Sequence, residues 1–394
     1  MEERGYTKAC GSDGRIPMIR YIVSLLVVNV WLLGCICDAS DPGVQGCTPL
    51  WATDEVISDL SWARKLPSSF LTDSGRAGLT FFDEGTLLVY EVSVDPTELS
   101  SRQSPAVSSP YKLRISMLDL ASGRKIGSEQ LGTWIRESSV HATSGGILVQ
   151  TGNVLRIYSK QLAKLHELVL PQQNQDESYM FAVSSSGKTI LVNRYNRTYS
   201  HFDVLDSATL RLIQTWTESP PMRRLYSISD TGIAAADFNQ QHILFKHFGN
   251  GEWKVIGGKP VFSVVGLPVL IDNSALVTSF KPFAYLSLDG GIIFEDGLGK
   301  HESLEQEASV ARDGEAVAVG LDKRRGSDFW DTGRGDEVIA RSVVVYNLTL
   351  KKRVLEFQLK PLPKNDVGYA LSPNGGKLAV LSDRRVTVCA VPQN

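Results

Sequence analysis

The sequence predicts an all-β fold made of seven repeated, four-stranded antiparallel units closed into a ring. Three observations carry that expectation. A phrase of apolar strand, short turn and second apolar strand recurs along the chain. Its spacing is just over forty residues, the length of one four-stranded blade. Helical periodicity is absent from nearly the whole length, which excludes a helical solenoid.

In chain order, residues 1–39 read as a targeting segment. Arg20 precedes an apolar run from Tyr21 to Gly34, broken only by Ser24 and Asn29. That run falls short of the roughly 20 apolar residues a bilayer span takes, and it fits a secretory signal. Met1 and Met18 are both candidate starts, since residues 1–17 are polar. Two processing readings compete: cleavage after Ala39, or lipidation of Cys35 within the lipobox-like Leu32-Leu33-Gly34-Cys35. An uncleaved anchor is the third. All three place the body outside the cytoplasm, in the periplasm or beyond the cell. Residues 40–55 then read as a linker and 56–394 as the ring.

Aligned on the turn glycine, the phrase is LTFFDEGTLLVYEV (Gly85), VHATSGGILVQT (Gly146), FAVSSSGKTILVN (Gly187), YSISDTGIAAADF (Gly232), SVARDGEAVAVGL (Gly314) and YALSPNGGKLAVL (Gly375). A seventh copy, LPVLIDNSALVTSF, has Asn273-Ser274 where the others carry Gly. The intervals are 61, 41, 45, 42, 40 and 61 residues. Within the third unit, strand a is Met180–Val183, b is Thr189–Arg194, c is His201–Leu205 and d is Leu210–Trp216. The turn glycines are expected where φ must be positive, and the flanking runs are β-branched and aromatic. A second turn recurs at Asp119, Asp206, Phe248 and Asn347. Trp62, Trp216 and Trp253 fall in expected d strands and read as blade packing. The last unit ends after Val386–Val391 with no room for strand d, and Val56–Leu66 is the expected donor of that strand. Closure of this kind removes an exposed sheet edge. The ring is therefore read as a seven-bladed β-propeller.

Ser372-Pro373-Asn374-Gly375-Gly376-Lys377-Leu378 resembles the SPDG-type signature of exported bacterial propeller repeats, the TolB-like, YVTN and WD40-like groups. The resemblance is strongest in units three and seven. Asn374 or Ser186 replaces the turn Asp, and the GH and WD dipeptides of true WD repeats are missing. It implies a fold and export, not an activity, because propellers host binding modules and unrelated enzymes alike.

Charge narrows the partners. With 41 Lys+Arg against 43 Asp+Glu the net charge is −2, and a near-neutral body is not expected to bind nucleic acid. After cleavage at Ala39 only Cys47 and Cys389 remain, read either as a disulfide across the two ends of the mature chain or as two unpaired thiols.

Function is sought where the repeat departs from its period. Units one and six are each about twenty residues longer, both between strands b and c, through Pro96–Pro110 and Asp322–Val338. In such a ring b–c and d–a connections emerge on one face, so the two inserts are co-facial and flank the seventh blade. The first is Ser/Pro-rich and reads as an extended cover. The second presents Arg324, Arg325 and Arg334 among acidic residues around Phe329 and Trp330, side chains typical of interface anchors. Its Arg334-Gly335-Asp336 matches an integrin-binding tripeptide, too short a match to carry weight. The d–a loops add Glu177, Arg223, Arg224, Glu307 and Asp366 to that face, where they form a candidate polar site at the channel mouth.

Catalytic patterns are thin. The six histidines are scattered, without metal-ligand spacing, and there is no nucleophile elbow, P-loop or calcium loop. The inner strands are mostly small or apolar, with His141 the main titratable exception. No catalytic residue, cofactor or metal is expected. The reading is a non-catalytic, monomeric binding or scaffold protein presenting one face to a protein or polymer of the cell envelope. The alternative is a lactonase- or hydrolase-type propeller enzyme using Glu177, Arg223, Glu307 and Asp366.

Overall fold

The computed structural model describes residues 45–54, 77–94, 111–133, 138–171, 177–219, 226–237, 242–249, 251–256, 268–272, 275–279, 282–299, 301–325, 337–363 and 367–393. All of them belong to one unit, Val44–Asn394. Among the described residues there is no α-helix. Two short strands, β1 (Gln45–Gly46) and β2 (Pro49–Thr53), precede the blades. Blade 1 is β3 (Ala77–Asp83), β4 (Thr86–Val94), β5 (Tyr111–Asp119) and β6 (Lys125–Thr133). Blade 2 is β7 (Ser138–Thr143), β8 (Gly146–Thr151), β9 (Val154–Tyr158) and β10 (Lys164–Val169). Blade 3 is β11 (Ser178–Val183), β12 (Thr189–Tyr195), β13 (Ser200–Asp206) and β14 (Leu212–Glu218). Blade 4 is β15 (Tyr226–Ile228), β16 (Gly232–Asp237), β17 (His242–His247) and β18 (Lys254–Ile256). Blade 5 is β19 (Pro268–Leu270), β20 (Ala275–Ser279), β21 (Phe283–Ser287) and β22 (Ile292–Asp296). Blade 6 is β23 (Glu302–Val310), β24 (Ala316–Arg325), β25 (Glu337–Asn347) and β26 (Lys352–Gln358). Blade 7 is β27 (Gly368–Leu371), β28 (Lys377–Ser382) and β29 (Arg385–Ala390), with β2 as its fourth strand. The result is the expected seven-bladed all-β propeller.

The repeated phrase has a local cause in each turn. In the a–b turns Gly187, Gly314 and Gly375 do take positive φ, at 74°, 76° and 67°, where a Cβ is strained. Gly232 does not; there a Cβ would lie 2.5 Å from Phe245 Cζ, so close approach excludes a side chain. The second, c–d turn recurs because its first residue caps it. Asp119 Oδ1 accepts the Ser122 N–H at 2.8 Å, Asp206 Oδ1 the Thr209 N–H at 2.8 Å, and Asn347 Oδ1 the Leu350 N–H at 2.8 Å.

The core lies between blades rather than within them. Blades 7 and 1 pack Ala379, Leu381 and Val388 against Leu79, Leu87 and Val89, while blades 2 and 3 pack Leu148 and Ile157 against Ile190 and Val192. The b strands are therefore buried on both faces, as in Thr189–Asn193, and read as near-continuous apolar runs. Trp216 lies on β14 and stacks on Phe202, as expected of blade packing, but Trp253 precedes β18 rather than lying in it. Both indoles donate to the Glu218 carboxylate at 3.0 Å, which also takes the Lys246 ammonium at 2.7 Å. Trp62 lies outside the described residues.

Closure by an N-terminal strand holds, with a different strand. β2 pairs antiparallel with β29, Trp51 opposite Val388 and Thr53 opposite Val386. The sequence reads this segment as linker, but it forms the strand, and the expected donor Val56–Leu66 lies outside the described residues. The chain begins the closure one blade earlier. β1 adds to the outer edge of blade 6, parallel to β26, with Gln45 opposite Leu355. Between the two strands Cys47 is disulfide-bonded to Cys389, Cα to Cα 5.8 Å. Trp51 then donates its indole N–H to Leu120 O of blade 1 at 2.8 Å. One short segment thus clasps blades 6, 7 and 1.

Candidate functional site

Antiparallel blades send b–c and d–a connections to one end of the ring axis and a–b and c–d turns to the other. Each end carries its own chemistry.

At the b–c end, the blade 1 hairpin is paired up to Val94 opposite Tyr111, and the blade 6 hairpin up to Arg325 opposite Glu337. The sixth insert is therefore shorter as a loop than the sequence suggested: Asp322–Arg325 and Glu337–Val338 are strand. Its stem is locked by the buried Asp322, whose two carboxylate oxygens take Arg341 Nε at 2.7 Å and Nη2 at 3.2 Å. A planar two-point contact of this kind fixes both side chains. Arg324 lies on the same stem, its Nη2 3.8 Å from Asp322 and its Nε buried without a hydrogen bond. Arg325 stands beside Glu337 at 3.7 Å, both largely exposed at 76% and 70%. So Arg324 is mostly drawn into the stem, while Arg325 faces solvent.

Phe329, Trp330 and Arg334 lie outside the described residues, as do the Pro96–Pro110 insert, Arg223, Arg224, Asp366 and Cys35. Glu177 accepts a hydrogen bond from the Tyr199 hydroxyl, and that bond raises the Tyr199 pKa. Glu307 falls on β23 beside an irregularity in pairing between Leu304 and Ala308. Of the expected binding residues, the structure brings together Arg324 and Arg325 on one stem. It places Glu177 on blade 3.

The opposite end holds a cavity of about 210 Å³ inside the channel. All seven inner strands or their a–b turns contribute, among them Thr80, His141, Ser185, Ser227, Ser309 and Arg312. Two of the hydroxyls are held in place by neighbouring blades. Ser227 Oγ accepts the Leu270 N–H at 2.9 Å, and Ser309 Oγ accepts the Leu371 N–H at 3.0 Å. Ser185 Oγ donates across to Ile271 O at 2.7 Å, linking blades 3 and 5. His141 is held neutral: burial pushes its pKa down to about 4.

Arg312 was not singled out from the sequence. Its Nη2 is buried and makes no hydrogen bond. Burial pulls the guanidinium pKa down against the attraction of Asp83 and Glu84. Those carboxylates are engaged elsewhere, Asp83 with Lys160 Nζ at 2.6 Å and Glu84 with the Asn374 N–H at 2.7 Å. A signal was present in the repeat. Two positions before the turn residue the other copies carry Asp83, Ser144, Ser185, Asp230, Asp272 and Pro373, and only this one carries a cation. Among the described residues no cluster of His, Cys, Asp and Glu could hold a metal ion.

The fold and both ends define a seven-bladed β-propeller. No protein-family model matches the sequence, and no curated protein does. Among solved structures the chain is similar to the WD40 domain of Neurospora crassa Pan2, with a TM-score of 0.55 and 11% identity over 90% of this chain and 98% of that one. It is also similar to a chain of a mitotic checkpoint complex, with a TM-score of 0.50 and 12% identity over 99% of both chains. Such identities speak to architecture alone. The protein has a WD40-like seven-bladed propeller fold.

Proposed function

We propose that the protein is a non-catalytic, exported propeller scaffold that presents its b–c face to a protein or polymer of the cell envelope. The observation that carries this is the pair of lengthened b–c hairpins in blades 1 and 6. Both leave the ring on one face and flank blade 7, and the blade 6 stem is braced by the Asp322–Arg341 contact. A braced stem lowers the ordering cost of a loop that binds. WD40-like propellers commonly serve as platforms for protein partners, which favours the same reading.

Export rests on the N-terminal signal pattern and the SPDG-type repeat, and the Cys47–Cys389 disulfide supports it, since such bonds persist in oxidising compartments. Cleavage after Ala39, lipidation of Cys35 and an uncleaved anchor are the competing fates of the N-terminal segment, separated by the mass of the mature N-terminus.

The test is affinity capture from the native envelope with three proteins: the intact mature form, one with residues 326–336 replaced by a short Gly/Ser turn, and one with 95–110 so replaced. A partner retained by the intact form and lost by either variant is the expected result. A partner held equally by all three would remove this face from the function.

A further inference from the structure

We propose that the channel end ringed by the a–b turns is a binding site for a small organic monocarboxylate, with Arg312 as its anchor and the Ser227 and Ser309 hydroxyls as further donors. The site is on the face opposite the lengthened hairpins, so it stands independently of the scaffold reading.

A buried guanidinium nitrogen without an acceptor is costly, and a native structure that keeps one asks for a partner. Arg312 lines the cavity in which that partner would sit. Ser227 and Ser309 each receive a backbone N–H from the next blade, so a lone pair is occupied and the O–H is left to donate. Several donor-bearing residues lining one cavity suit an acceptor-only group, and the planar fork of arginine matches a carboxylate.

Charge limits the ligand to one negative centre. Arg312 is the single cation among the lining residues, and Asp83 and Glu84 act on it from outside the cavity. A dianion would meet uncompensated repulsion there. Size and lining limit the rest. The volume of about 210 Å³ suits a small molecule, and Phe81, Val269 and Leu371 offer apolar wall to a carbon body. An inorganic anion would leave that wall unused.

The experiment is thermal melting of the mature protein with propionate, lactate, inorganic phosphate or chloride at constant ionic strength, backed by ligand-observed NMR. Propionate and lactate should raise the melting point saturably, and phosphate and chloride should not. Arg312→Gln should weaken carboxylate binding about tenfold or more. Without ligand it should melt at or above the wild type, because it removes a half-buried guanidinium whose Nη2 has no acceptor; a structural arginine would do the reverse. Should that variant fail to fold, Arg312→Lys, which keeps the charge and loses the fork, should still weaken binding several-fold. No response to either carboxylate, an equal response to phosphate, or a response unchanged in the variants would each overturn the proposal.

Discussion

At the residue scale, His141 shows what an inner strand does to a titratable group. Its imidazole is half-buried in the wall of the channel cavity, and desolvation lowers its pKa from 6.5 to about 4. The folded value lies below the unfolded one. The unfolded chain therefore binds the extra proton, and stability is full above about pH 6.5 and falls as the pH drops towards about 4. The shift corresponds to at most about 3 kcal/mol at the acid end. Denaturant midpoints from pH 7 to 4 should fall less steeply for His141→Gln than for the wild type, and parallel curves would show that His141 is not buried neutral. Asn193 is the converse case, a fully buried amide on β12 with neither Oδ1 nor Nδ2 hydrogen-bonded. Asn193→Leu, of similar size, should raise stability by about 1 kcal/mol. A loss of that size in urea unfolding would mean that the amide has a partner.

At the scale of the element, the c–d turns explain why sequence identity between the copies is low while their geometry is constant. Each needs a residue with positive φ, supplied by Gly123, Gly249 and Gly290 in three blades and by Leu162, Leu210 and Lys351 in three others. The leucines are buried and pack, but Lys351 is exposed. Lys351→Gly should therefore gain about 0.5 kcal/mol, the left-handed penalty less the added chain entropy of glycine. Gly123→Ala should lose about 2 kcal/mol, since its Cβ would lie 2.8 Å from the Trp51 ring. Equilibrium unfolding of the two variants checks both signs. Strands of this kind were legible in the sequence because b strands are buried on both sides and hairpin turns carry Gly, Asp or Asn. The blade 3 strands lie within two residues of their expected limits. The blade 6 insert was misjudged because Asp322–Arg325, rich in charge, reads as loop, yet the Asp322–Arg341 contact lets those residues stay in the sheet.

For the whole molecule, closure is the feature that depends most on distant residues. The missing fourth strand of blade 7 was legible as a gap, and the identity of its donor was not. Outer strands are largely exposed, as on β14, so they carry little apolar pattern and many segments could serve. What selects Pro49–Thr53 is long-range: the Cys47 disulfide and the Trp51 bond to blade 1. Arg312 was missed for a related reason. A single cation in a turn reads as solvated until the ring places it in the wall of the channel cavity. The disulfide spans 342 residues of sequence, and in the chain-entropy account its loss costs roughly 6 kcal/mol, or about 8 °C in melting temperature. Cys47→Ala with Cys389→Ala should melt lower by that order and become sensitive to proteolysis near its N-terminus. Unchanged melting would show that the β2–β29 pairing closes the ring alone.

The central claim is that the b–c face of the ring is the one that holds the protein or polymer partner. A photo-crosslinking residue placed at Arg325, at the exposed tip of the blade 6 stem, and in a second protein at Gln161, in a c–d turn of the opposite face, tests it directly in the native envelope. A discrete crosslinked partner from position 325 and none from position 161 is the expected result. Crosslinks from 161 alone, or equally from both positions, would contradict it.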